Sequence, residues 1–127
     1  MFHARKGQAW HAQRTIKPKE QRTSPDGIQH HSAAEMRRWC ELLSLQERGH
    51  VKDLQRQVRF PLRIDEERAV LTPTGRIAVY TPDFVYRRLT NGEWQLVIED
   101  KKGHMDITSA LRIAIFEAIY SVKVHIT

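Results

Sequence analysis

The stretch DFVYRRLTNGEWQLVIED constrains the fold more than any other part of the chain. Asn91-Gly92 stands between two runs rich in strand-forming residues. A two-residue type I′ hairpin needs positive φ at both turn positions, and Asn-Gly meets that demand at least cost. The spacing therefore predicts two antiparallel neighbours, one over about residues 76–88 and the other over about 94–101. Pro82 lies inside the first and predicts a bulge or kink there. Asp83 and Asp100 lie about equally far from the turn, so the register sets them opposite each other.

The remaining elements follow from periodicity. SAAE, residues 32–35, has the form of a capping box, with Ser32 as N-cap and Glu35 bonding back to it. Met36, Trp39, Cys40, Leu42, Leu43 and Leu45 continue at helical spacing, and Gly49 can end the run. This predicts a helix over about 33–48. Val58, Phe60, Leu62 and Ile64 alternate with polar residues and predict a strand, with Pro61 placing it at or near an edge. Asp106, Thr108 and Ser109 offer caps for a helix over about 107–121, whose stripe reads Leu111, Ile115, Ile119 and Val122. VKVHIT alternates and predicts a last strand. The order is α-β-β-β-α-β. The strand–helix–strand crossover implies a parallel pair, so the fold is α/β with a mixed central sheet flanked by helices.

Residues 1–27 show neither period, and they predict a basic irregular arm ahead of a domain over 28–127. The net charge is +6, and the first 31 residues hold six Lys or Arg against two acids. That balance favours a polyanionic partner, most commonly nucleic acid. No apolar run is long enough for a bilayer, and the basic start lacks the apolar stretch of a secretory signal. The expected setting is cytoplasmic, without a membrane partner. A single cysteine, Cys40, excludes an intramolecular disulfide and reads as a core thiol.

The chemistry lies where charge meets apolar strand. Leu96, Val97 and Ile98 run straight into Glu99, Asp100, Lys101 and Lys102. Two carboxylates facing each other at the end of a buried strand repel unless a hard cation sits between them. Mg²⁺ or Mn²⁺ takes such oxygens and keeps positions open for water and phosphate. A lysine two residues further along projects from the same face, where it can hold the attacking water or offset charge on the phosphate. Two registers satisfy the pattern, Glu99 with Lys101 and Asp100 with Lys102. No serine or cysteine constellation for a covalent intermediate is evident, and no small-molecule cofactor is expected.

These residues resemble the PD-(D/E)XK nuclease superfamily, which includes restriction endonucleases and Holliday-junction resolvases. A closer resemblance is to small phage-encoded proteins grouped as a domain of unknown function and read as resolvase-like endonucleases. The stretches that carry it are DGIQHHSAAEMRRWCEL (26–42), PDFVY (82–86), VIEDKKG (97–103) and FEAIY (116–120), so it spans roughly residues 26–127. It implies a restriction-endonuclease-like core and hydrolysis of DNA, duplex or branched, in a bacterial host or phage-infected cell. By resemblance Glu35 is the helix acid of the site, Asp83 and Asp100 are metal ligands with Glu99 assisting, and Lys102 positions the water. The small phage family has acid-acid-x-Lys-Gly, which favours Asp100 with Lys102. Its x position is usually apolar, and Lys101 departs from this, which keeps the Glu99/Lys101 register open. Arg112 matches a basic position of the family and is a phosphate contact. Arg37, Arg38 and Lys101 complete the expected nucleic-acid surface. Two matched cuts in a four-way junction imply a homodimer. The rival is a nucleic-acid-binding or regulatory protein that keeps the fold without cleavage.

Other candidates have plainer readings. His30, His31 and His104 read as exposed loop residues, and Trp10, Trp39 and Trp94 as packing residues.

Overall fold

The computed structural model describes residues 17–127. Phe2, Trp10 and the basic residues Arg5, Lys6 and Arg14 lie outside the described residues. The chain forms two compact units, with the division between Cys40 and Glu41.

In the first unit, residues 17–27 are built into regular contacts where the sequence predicts an irregular arm. Lys19–Arg22 forms a 3-10 turn. Thr23 bridges Gln29, and Gly27, at φ +87°, closes a turn onto the Ser24 carbonyl. Helix α1 spans Ala33–Glu47, one residue short of its predicted end, and runs across the division between the units. Ser32 caps it through its Oγ, which accepts from the Glu35 amide at 3.0 Å. The capping box is only half made, because the Glu35 carboxylate turns to two histidines instead of closing it. At the other end Gly49 takes φ +84°. The amides of Gly49 and His50 then reach back to the carbonyls of Gln46 and Leu45, a Schellman closure.

The second unit holds a four-stranded sheet in the order β1-β4-β5-β6 and a two-stranded sheet, β2-β3. Its strands are β1 (Val51–Arg56), β2 (Phe60–Pro61), β3 (Val79–Tyr80), β4 (Phe84–Thr90), β5 (Glu93–Asp100) and β6 (Val124–Ile126). Helix α2 spans Ile107–Tyr120, with Asp106 accepting from the Ser109 amide at 2.7 Å as N-cap. The α/β class and the mixed sheet hold: β4 and β5 are antiparallel, and β6 is parallel to β5. Asn91 and Gly92 take φ +51° and +80°, as the hairpin turn requires.

Two strand expectations change. The strand predicted at 58–64 contributes only Phe60–Pro61, and it joins the small sheet. The first strand of the main sheet is Val51–Arg56, which lacks alternation because it is an edge. It also breaks register between Lys52 and Gln55, where Asp53 takes φ +56°. Pro82 does more than kink its strand. It ends the ladder outright, sending Val79–Tyr80 to the small sheet and Phe84–Thr90 to the main one.

The predicted stripe of α2 holds in part: Ile115, Ile119 and Val122 pack half-buried against the core. Ile113 and Phe116 are buried, and Leu111 is 60 % exposed. Ten of the helix's fourteen residues are apolar, so periodicity alone does not rank Phe116 above Leu111. Ile113 and Phe116 join Leu62, Tyr80, Val85, Ile98 and Val124 in one core.

Glu117 ties the end of α2 to β6. Its carboxylate accepts from the Val124 amide at 2.8 Å and lies 3.3 Å from the Lys123 ammonium. The Val124 amide holds the carboxyl below its ordinary value of 4.5; burial opposes this, and Lys123 adds to it. A folded pKa below the unfolded one gives stability that is complete above about pH 4.5 and is lost as pH falls through the folded value. Glu117→Gln should therefore flatten the pH dependence of the urea midpoint below pH 4.5 and leave its neutral-pH slope unchanged.

Candidate active site

The site of the second unit forms where β5 leaves the core. The β4–β5 register pairs Phe84 with Glu99, so Asp83 stands one step further, in line with Asp100. Asp83 Oδ2 accepts from the Lys101 amide at 2.8 Å. Its carboxylate is thus held against the peptide that follows Asp100. Asp100 is 2 % exposed, and its Oδ2 accepts from the Tyr80 hydroxyl at 2.6 Å. The Lys102 ammonium lies 3.6 Å from the same oxygen. Burial pushes the Tyr80 phenol far up, and the hydrogen bond to Asp100 and the charges of Asp100 and Asp83 add to the effect. Tyr80 is therefore a fixed donor at neutral pH.

A cavity of about 120 Å³ opens beside this group, lined among others by Tyr80, Asp100, Lys102, Ser109 and Arg112. Arg112 comes from α2, so the helix that covers the core also delivers a cation to the carboxylate end of β5. Asp83, Asp100, Lys102 and Arg112 are thus brought to one place.

Glu99 is not part of that face. Strand alternation turns it to the other side of the sheet, where it is 1 % exposed. There it accepts from the Tyr86 hydroxyl at 2.6 Å and from the Thr127 hydroxyl at 3.4 Å. The contact between Lys102 and Asp100 couples an acid to a lysine in the Asp100/Lys102 register. Lys101 contributes its backbone amide to Asp83.

In the first unit, Glu35 is 4 % exposed and sits between two histidines. His30 Nδ1 is 3.4 Å from its Oε2, and His31 Nδ1 is 3.7 Å from its Oε1. His30 is fully buried, which corrects the expectation of an exposed loop residue; His31 and His104 are exposed. The His30 ring continues through Nε2 to the Ser24 hydroxyl at 3.1 Å. Ser24 donates to Asp26, whose other oxygen accepts from the Trp39 indole at 2.9 Å. Burial works to raise the Asp26 carboxyl, but the bonds from Ser24, Trp39 and the backbone outweigh it and hold it below its ordinary value. The chain Glu35–His30–Ser24–Asp26–Trp39 fastens α1 to the segment before it. Cys40 is half-buried, and burial, then the Asp26 charge, pushes its thiol up. Arg37 is exposed and Arg38 half-buried on α1.

Sequence reasoning missed Tyr80 and Tyr86, the two phenols that hold Asp100 and Glu99. Both sit on apolar strand positions, and only the pairing of strands reveals what their hydroxyls touch. Trp39 is buried as a packing residue, whereas Trp94 is 37 % exposed at the sheet surface.

Among the described residues, no group of three or more His, Cys, Asp or Glu side chains is placed to hold a metal. Mg²⁺ commonly takes one or two carboxylates and completes its shell with water and substrate phosphate, so the Asp83–Asp100 donor set fits such an ion. No helix among the described residues is long and apolar enough to cross a membrane. The chain matches no family model, no curated protein and no solved structure.

Proposed function

We propose that the chain is a Mg²⁺- or Mn²⁺-dependent DNA endonuclease with a restriction-endonuclease-like core, selective for branched DNA. The observation that carries this reading is the contact of the Lys102 ammonium with the buried Asp100 carboxylate, beside Asp83. Asp83 and Asp100 would hold the ion, which when bound supplies Lewis-acid stabilisation of the phosphate and a more acidic water. Tyr80 fixes the orientation of Asp100. Lys102 holds the water that attacks phosphorus, and Arg112, across the cavity, offsets the charge that grows on the phosphate oxygens. Preference for a junction rests on the resemblance, and paired cutting of a junction calls for a homodimer.

One observation favours the rival, a binding protein without cleavage. Asp83 and Asp100 each already accept a hydrogen bond from the protein, which is what purely structural acids would do. The test is incubation of a labelled four-way junction and a matched linear duplex with Mg²⁺, Mn²⁺ or EDTA, beside Asp83→Asn. The amide still accepts from the Lys101 N–H, so the strand end is kept while the charge is lost. Metal-dependent cutting of the junction, weak on the duplex and absent in the variant, is the expected result. Equal cutting of both substrates removes the junction preference. Binding without cutting in either metal establishes the rival.

A further inference from the structure

The sheet face that carries Asp100 continues past the core toward the hairpin turn. Along it β5 presents Trp94, Leu96, Ile98 and Asp100, and the register sets Leu89, Arg87 and Val85 opposite the first three. On β1, Lys52 lies opposite Arg87 and Gln55 opposite Val85. Val85 and Ile98 are covered by the core, whereas Leu89, Trp94 and Leu96 are 40, 37 and 48 % exposed. An open cleft of about 310 Å³ lies here, lined by Asp53, Leu54, Gln55, Val85, Tyr86, Arg87 and Leu96, and Trp94 stands beside it, two residues along β5 from Leu96. This volume is at the lower end of the range for ligand clefts, about 300–1,000 Å³. The Lys52 ammonium sits 4.5 Å from the centre of the Trp94 ring.

A cleft lined by apolar and polar side chains, with a part-exposed indole and a cation on the same sheet face, forms a set that can receive a nucleotide released from its helix. The base stacks on the aromatic ring, its edge meets polar groups, and its phosphate meets a positive charge. The local charge agrees. On this face Lys52 and Arg87 stand against Asp53, which lies 3.8 Å from Arg87; Arg88 and Glu93 fall on the other face. We infer that Trp94 and this cleft hold an unpaired nucleotide of the DNA substrate. The inference rests on the endonuclease reading and adds to it a contact that a fully paired linear duplex does not supply. Six residues of strand separate Trp94 from Asp100, about 20 Å. That equals about six base-pair steps, so the unpaired nucleotide would lie at that spacing from the cut.

The experiment measures binding in EDTA, which separates it from cleavage. A fluorescein-labelled single-stranded oligodeoxynucleotide and a duplex of the same sequence are titrated with the full chain, Trp94→Ala and Trp94→Phe. Trp94→Ala should weaken single-strand binding about tenfold or more and leave duplex binding within about twofold, while Trp94→Phe stays close to the parent. Unchanged single-strand binding by Trp94→Ala overturns the inference. So does an equal loss on both substrates, because that marks a general surface contact and not a stacked base. Tighter, Trp94-dependent binding of the matching oligoribonucleotide overturns the assignment to DNA. If cleavage is absent but the Trp94 effect is present, the inference stands and the endonuclease reading fails. If cutting depends on Asp83 and Trp94→Ala binds as the parent does, the reverse holds.

Discussion

Phe116→Ala should destabilise the protein by about 3–5 kcal/mol. The ring is 1 % exposed and packs between Phe60, Tyr80 and Tyr120, at centroid distances of 5.1, 4.8 and 4.9 Å. Truncation removes the burial and leaves a cavity that three neighbouring rings cannot readily fill. Aromatic pairs of this kind add about 0.5–1.5 kcal/mol beyond their buried area. Against a total stability of about 5–15 kcal/mol, the loss is a large fraction of the whole. With a urea slope of about 1–3 kcal/mol per molar, the midpoint should fall by about 2 M. Leu111→Ala is the control. Leu111 is 60 % exposed, so its truncation should shift stability by less than about 0.5 kcal/mol. The periodicity of the sequence ranks Leu111 on the inner stripe, and the fold ranks Phe116 there. Equal losses for the two variants, or a larger loss for Leu111→Ala, would show that α2 presents the other face to the sheet.

The same ring bears on the site. Phe116 packs on Tyr80, and the Tyr80 hydroxyl holds Asp100. A core truncation should therefore loosen the carboxylate as well as the fold, even though α2 donates no acid to the site.

The chain states some of this plainly and hides the rest for identifiable reasons. Asn91-Gly92 demands a backbone that only a tight hairpin supplies, so the β4–β5 pair and the alignment of Asp83 with Asp100 are legible from local chemistry. The N-cap Ser32 and the C-terminal Gly49 are legible for the same reason: each satisfies backbone groups of its own helix. Val51–Arg56 is hidden because an edge strand with a bulge needs no alternation. The rank of Phe116 over Leu111 on the inner face of α2 is hidden because ten of its fourteen positions are apolar, although Ile115 and Ile119 are legible from spacing. The partners of Glu35 and Asp100 are hidden because a hydroxyl or a ring nitrogen brought in by tertiary packing leaves no trace in spacing. Glu35 in particular follows a capping-box pattern, yet its carboxylate joins His30 and His31 instead.

The choice between the two acid–lysine registers can be made by rate. Asp100→Asn keeps an acceptor for the Tyr80 hydroxyl and removes the charge. Lys102→Met keeps the length of the side chain and removes the ammonium, whose stem is only partly exposed. If Asp100 and Lys102 work together, Lys102→Met should lower metal-dependent cutting about 10²–10³-fold, and Asp100→Asn at least as much. Lys101→Met leaves the backbone amide on Asp83 intact and should change the rate by no more than a few-fold. Glu99→Gln acts elsewhere. Its amide oxygen keeps an acceptor for the Tyr86 hydroxyl and its NH2 replaces the acceptor of Thr127, all on the far face of the sheet, so its effect should appear in the melting midpoint before it appears in the rate of cutting. Strand alternation makes the two registers mutually exclusive, since each places its acid and lysine on one face only. A large loss for Lys101→Met with little for Lys102→Met would therefore move the chemistry to the Glu99 face and leave the cavity beside Arg112 without a catalytic role.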